Sequence, residues 1–344
     1  MKKSSTKKGV LLINLGSPKS TSTKDVRAYL DEFLMDKRVI DVPYLLRALI
    51  VKGFILPNRP KKSGEAYKKI WTKEGSPLVV ISQAFTEKVN SKSNIPVELA
   101  MRYSTPSIKE GILKLKEQGV NDILVIPLYP QFAMSSTETV NEKVKEVKNS
   151  LYPEANLTFF PAFYNNSDYI KTLSSKIEKE LKEKEFDHLL FSYHSIPERH
   201  IRKSDITKSH CKIDKSCCET PSKAHEFCYR HQCFETTKEV VNLLKLPEEK
   251  YSVAFQSKLG KDKWLTPSTN KLIGTLPAKG IKKLAVVVPS FVADCLETLE
   301  EISIEGKKDF LDNGGLEYFP VPCLNEDEQW IETVSTWIED WQKN

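Results

Sequence analysis

Gly9-Val10-Leu11-Leu12-Ile13-Asn14-Leu15-Gly16-Ser17-Pro18 and Asp187-His188-Leu189-Leu190-Phe191-Ser192-Tyr193-His194-Ser195-Ile196-Pro197 are two versions of one pattern. Each is an apolar run that ends in small or polar residues and then proline. A second pair matches as well: Asp122-Ile123-Leu124-Val125-Ile126-Pro127 and Lys283-Leu284-Ala285-Val286-Val287-Val288-Pro289. Each of these follows a glycine (Gly119, Gly280) by a few residues. Near-continuous Val/Ile/Leu runs belong to strands covered on both faces.

Working outward, strands are predicted at 10–15, 97–101, 122–128, 156–160, 189–193, 251–255 and 283–288. Helices are predicted between them at 107–118, 137–150, 168–185, 233–244 and 294–313. Alternation of this kind predicts a parallel α/β sheet with helices on both faces. The paired motifs recur at similar spacing, so the chain divides into two βαβ-type halves near residue 165, an N-terminal half 1–165 and a C-terminal half 166–344. Ligands of such sheets bind beyond the carboxyl ends of the strands. Both proline-terminated strand ends are therefore expected to face a cleft where the halves meet.

The length of 344 residues is enough for a large core. The net charge is +6, but the lysines fall in short clusters such as Lys61-Lys62, Lys68-Lys69 and Lys282-Lys283. Nucleic-acid binding needs a basic face with stacking aromatics, and none is present, so no nucleic-acid partner is expected. No apolar run approaches the about 20 residues that cross a bilayer. The run from Gly9 to Ile13 is too short for a signal-peptide core. A cytoplasmic protein is expected, with its seven cysteines reduced unless a metal holds them. Monomer and homodimer are both compatible with the composition.

The stretch from Leu45 to Trp71 breaks the alternation. It carries Leu45, Leu46, Leu49, Ile50, Phe54, Ile55 and Leu56, followed by Pro57, Pro60 and basic residues. Such a segment suits a lip over a hydrophobic ligand or a contact with a membrane surface. An ordinary core helix with a solvated loop is the competing account.

Three groups of residues can carry chemistry. His194 closes an apolar strand, where a neutral imidazole can ligate a metal or accept a proton. After the strand 283–288, Asp294, Glu297 and Glu301 are spaced to share one helix face. An acidic stripe opposite a histidine can hold a divalent cation or carry protons away, while the helix dipole alone would also favour acids there. Finally, Trp264, near Phe255-Gln256-Ser257-Lys258-Leu259-Gly260, offers a ring that can stack on a planar ligand.

Taken together these motifs resemble the ferrochelatase family. The runs that match are Leu15-Gly16-Ser17-Pro18, Met101-Arg102-Tyr103, Pro127-Leu128-Tyr129-Pro130-Gln131, Ser192 to Pro197, Phe255 to Gly260 with Trp264-Leu265, and Asp294 to Leu299. They occur in the family's order across nearly the whole chain. The resemblance implies a chelatase-like fold of two similar Rossmann-like halves enclosing a porphyrin cleft. It also implies insertion of ferrous iron into protoporphyrin IX, the last step of haem biosynthesis. In its terms the catalytic histidine is His194, the catalytic glutamate Glu297 and the next acid Glu301. His194 and Glu297 would meet the iron, either one first. Arg102, Tyr103, Tyr129 and Trp264 would line the porphyrin pocket. Two positions depart from the family pattern: Ser195 follows the histidine where glycine is usual, and Cys295 stands where many members have histidine. The alternatives are a coproporphyrin ferrochelatase, a cobalt chelatase, and a non-catalytic porphyrin-binding iron-sulphur sensor.

Five cysteines crowd one segment, Cys211-x5-Cys217-Cys218-x9-Cys228-x4-Cys233. Crowding of thiols in a cytosolic chain favours a metal, with zinc or a [2Fe-2S] cluster both suited to thiolates. The segment looks like the internal four-cysteine group that binds [2Fe-2S] in some bacterial ferrochelatases. Adjacent Cys217 and Cys218 would strain one small cluster, which favours Cys211, Cys218, Cys228 and Cys233. The rival set is Cys211, Cys217, Cys218 and Cys228. Cys295 and Cys323 lie apart and read as buried structural residues.

Overall fold

The computed structural model describes residues 6–258, 260 and 262–343; Leu259 of the expected ligand-facing run lies outside them. Two four-stranded parallel sheets organise the chain. In the first, β1 (Lys8–Asn14), β2 (Val97–Met101), β3 (Asp122–Pro127) and β4 (Asn156–Phe159) lie in the order β2-β1-β3-β4. In the second, β5 (His188–His194), β6 (Tyr251–Gln256), β7 (Lys283–Val287) and β8 (Glu317–Pro320) lie in the order β6-β5-β7-β8. The two orders are the same, so the repeated motifs occupy equivalent strands: β1 and β5 sit inside their sheets, and β3 and β7 flank them.

The apolar runs explain the placement of these strands. Val10, Leu11, Leu12 and Ile13 of β1 and Leu189, Leu190 and Phe191 of β5 have no exposed surface. A strand with helices on both faces buries alternate side chains on opposite sides, so every position is apolar. At the end of β1, Gly16 is required by close approach. A Cβ there would stand 1.9 Å from the Tyr103 carbonyl oxygen, and its φ of +105° is one that glycine adopts freely.

By contacts the chain forms two compact units. One comprises the chain up to Leu128, Met134–Ala162 and the chain from Asn325 onward; the other comprises Tyr129–Ala133 and Phe163–Leu324. The C-terminal helix Glu328–Lys343 therefore belongs with the first unit, whereas the expected division at 165 put it in the second half. Its Trp330 stacks on Phe85 of the helix Pro77–Lys92, and its Trp337 on Phe160, with centroids 5.8 and 4.6 Å apart. The amphipathic pattern shows that this helix must bury one face, but the pattern does not name the surface it covers.

The second unit departs from expectation in two places. Strand β8 has only the residues Glu-Tyr-Phe-Pro, too short and too mixed to stand out as a strand. The helix expected over 294–313 starts later and is wider. Glu297–Gly306 is a π-helix, continued by the α-helix Lys307–Asp312. Side chains serve the carbonyls along its wide turns: Ser303 Oγ donates to Thr298 O and Tyr318 OH to Ile302 O, both at 2.9 Å. Ile302 and Phe310 anchor this helix in a core with Leu190, Ala254, Leu284 and Val286.

Candidate active site

His194 ends β5, half-buried, with its backbone opposite Gln256 of β6. Its Nδ1 lies 2.6 Å from the Ser195 carbonyl. A carbonyl can only accept, so Nδ1 carries a proton, and the tautomer compatible with this bond has its lone pair on Nε2. The backbone is pinned on both sides: Ser290 Oγ accepts from His194 N–H at 3.2 Å, and Tyr229 OH donates to His194 O at 2.8 Å. Tyr229 OH and Ser290 Oγ also bond each other at 2.8 Å. Neither Ser290 nor Tyr229 was singled out in the sequence, although Ser290 follows the proline that closes β7.

Gln256 links the histidine to the acidic helix. Its Nε2 donates to the Glu297 carbonyl at 2.9 Å, and its Oε1 accepts from Ser192 Oγ at 2.7 Å. Ser192 Oγ also meets Thr269 Oγ1 at 2.7 Å. Glu301 is engaged as well: its carboxylate accepts from Ser257 N–H at 2.9 Å and from the Ser257 hydroxyl. Ser257 holds a φ of +64°, an unfavourable conformation for serine that points its N–H at Glu301.

The expected stripe of three acids is two. Asp294 precedes the helix, is buried, and accepts from Thr298 Oγ1 at 2.8 Å. It braces the turn into the π-helix, because a helix starting at Glu297 cannot project residue 294 from its face. Cys295 is also buried; burial and then the nearby Glu297 charge push its thiol well up.

Trp264 stands beside the same strand end, bridged antiparallel to Pro197, while Leu265 N–H donates to Ile196 O at 3.1 Å. Its indole N–H is buried and meets no acceptor among the described residues. Tyr129 is half-buried just beyond β3.

Arg102 and Tyr103 belong to the first unit. Tyr103 is completely buried, so it cannot line a ligand surface as expected; its hydroxyl bonds Asp36 at 3.1 Å. Arg102 pairs with the same Asp36, donates to Thr139 Oγ1 at 2.8 Å and lies over the Tyr103 ring. It borders a cleft of ≈ 540 Å³ with Lys37 and Arg38 among its other walls. Burial pushes the Asp36 carboxyl upward, but hydrogen bonds from Thr139 and Arg38 N–H and the charge of Arg102 outweigh it and hold it low.

The lip is apolar and exposed. The helix Tyr44–Ala48 runs into a second π-helix, Leu49–Ile55, and Leu45 and Phe54 are 81% and 70% exposed. A core helix would bury them.

The cysteine segment is organised by Asp205, whose carboxylate takes the N–H groups of Thr207, His210 and Cys211. Burial raises this carboxyl, but these bonds and the Thr207 hydroxyl outweigh it and hold it at about 2. The thiols form a series of neighbours, Cys211 to Cys228, Cys228 to Cys218 and Cys218 to Cys217. The bond with Cys211 and then burial push Cys228 up to about 12. Cys233 is wholly buried, with its thiol bonded to Tyr229 and within electrostatic reach of Cys228 and Cys218. Among the described residues no three His, Cys, Asp or Glu side chains converge in the way one metal ion requires.

Comparison with known proteins agrees over the full length. The Ferrochelatase family model matches residues 7–341. A ferrochelatase of Pseudomonas fluorescens (strain SBW25) is 45% identical over 332 residues, covering 96% of this chain and 97% of that one. A ferrochelatase of Opitutus terrae is 43% identical over 337 residues, covering 97% of both. Among solved structures, SirB from Bacillus subtilis with Fe3+ aligns at a TM-score of 0.54 and 13% identity, covering 97% of this chain and 95% of that one. The sirohydrochlorin chelatase SirB in complex with cobalt aligns at 0.55 and 11%, covering 97% and 94%. At these identities the likeness is one of fold.

Proposed function

The chain belongs to the ferrochelatase family, and from that premise we propose that His194 and Glu297 carry the insertion of ferrous iron into protoporphyrin IX that makes haem. The reaction exchanges Fe2+ for the two pyrrole N–H protons. The observation that carries the assignment is the bond from His194 Nδ1 to Ser195 O, which leaves Nε2 as the acceptor. Nε2 takes a pyrrole proton as iron enters, and the Glu297 carboxylate receives protons or iron at the mouth of the π-helix. Glu301, one turn on, passes protons outward when Ser257 releases it. Trp264 holds the ring, with its unspent N–H available to an acceptor on the macrocycle. Tyr129 and Arg102 are the further ring contacts, and Tyr103 acts behind Arg102. An anaerobic assay with ferrous iron and protoporphyrin tests the assignment. Turnover by His194→Ala and by Glu297→Gln is expected to fall at least about 100-fold, with folding intact. Near-normal turnover in both would sink it, and protoporphyrin binding without any metallation by the unaltered protein would favour the sensor reading.

Cys211, Cys217, Cys218 and Cys228 are the residues that would hold a [2Fe-2S] cluster. A single zinc ion needs ligands that converge on one point, whereas two irons take thiolates in pairs, which suits a series of neighbours. When bound, such a cluster supplies a one-electron centre.

The exposed Tyr44, Leu45, Leu49 and Phe54 suit insertion into the surface of an anionic bilayer, with Arg27 and Lys52 near the headgroups. Co-sedimentation with anionic vesicles is expected, and loss of less than half of it in the double variant Leu45→Ser, Phe54→Ser would refute the contact.

A further inference from the structure

Arg230 reaches a sulfur of the cysteine series. Its Nη1–H donates to Cys218 Sγ at 3.1 Å and to the Asp214 carbonyl at 2.7 Å. The guanidinium also lies 4.7 Å from the ring centroid of Phe234, one turn along the helix Tyr229–Leu244. Two of these three contacts do not involve sulfur, so the cation is held in place independently of any metal. Cys218 belongs to both ligand sets considered above, so Arg230 meets a cluster ligand whichever cysteine is the fourth.

We propose that Arg230 is a positioning residue that stabilises the reduced form of the cluster, by donating an N–H to the Cys218 sulfur and fixing a positive charge beside it. The inference rests on the two-iron reading of this segment. The step is the uptake of one electron from an external one-electron donor, taking [2Fe-2S]2+ to [2Fe-2S]+; no bond is made or broken and no proton moves. Reduction adds negative charge that spreads onto the thiolate sulfurs. A donor and a cation at that sulfur favour the reduced state and raise the potential.

A reductive titration tests this on protein isolated anaerobically with its iron, using dithionite with redox mediators and following visible absorption and the electron paramagnetic resonance of the reduced form. In Arg230→Leu the reduced-to-oxidised ratio at fixed potential is expected to fall at least tenfold, which is 59 mV for a one-electron couple. Arg230→Lys, which keeps the charge and loses the planar fork, is expected to shift less in the same direction. An unchanged midpoint in iron-replete Arg230→Leu overturns the inference. Should Arg230→Leu lose its iron, Arg230→Lys decides, and the original midpoint there overturns it. Colourless, iron-free wild-type protein from the same isolation overturns the two-iron reading itself, and the inference with it.

Discussion

Gln256 donates its side-chain N–H to the backbone carbonyl of Glu297 at 2.9 Å, and its own backbone stands opposite His194 in the β5–β6 ladder. One amide thus sets the histidine-bearing strand end and the first turn of the acidic helix in register. It is 1% exposed, and its other atom is spent on Ser192, so it has no freedom to turn away.

Gln256→Leu is expected to remove that register. The Glu297 carbonyl and Ser192 hydroxyl lose a buried partner, a cost of about 1–3 kcal/mol each way. Turnover should fall at least tenfold at a temperature where the protein is still folded, with a lower melting temperature. A variant with normal kcat would show that the two groups hold their places without it.

Asp36 is expected to matter through Arg102. Both side chains are largely buried, at 7% and 11% exposure, so removing the negative partner strands a cation. Asp36→Asn should cost roughly 3 kcal/mol. The folded carboxyl is held below its ordinary value of 3.8, so the stabilisation is complete above that value and is lost as pH falls through the folded one. The gap in melting temperature between wild type and variant should be wide at neutral pH and close in acid below about pH 4. A gap independent of pH would contradict this account.

The cysteines should divide by neighbourhood. Cys218→Ser is expected to lose the visible colour and iron, while Cys233→Ser keeps both, because Cys233 bonds Tyr229 and not another thiol. Retention of iron by Cys218→Ser, measured after anaerobic purification, would remove Cys218 from the ligand set.

Much of the second unit was legible in advance. Strands β5, β6 and β7 stand out because a strand covered on both faces demands apolar residues at nearly every position, a pattern that exposed elements do not share. His194 was legible for the same reason, as a polar residue that ends such a run. The π-helix was not. Asp294, Glu297 and Glu301 fit the spacing of an ordinary helix, and the wider turn depends on Ser303, Tyr318 and Gln256 meeting the helix carbonyls. Gln256 and Tyr318 are far from the helix in sequence, so no local pattern contains them.

The sequence by itself determined the class of fold, the two equivalent strand ends, the family, and the crowding of five thiols. These depend on composition and on short-range periodicity, which a linear chain displays directly. Only the tertiary structure decided the proton on His194 Nδ1, the tether on Glu301, the burial of Tyr103 and Asp294, and the pairing of Cys233 with Tyr229. Most of those are set by a partner brought close by folding: Ser257 through a strained turn, Asp36 from an earlier helix end, and Tyr229 through a helix that turns Cys233 inward. Hydrogen bonds and burial act over a few ångströms in space, so they are decided only once the chain has chosen its neighbours.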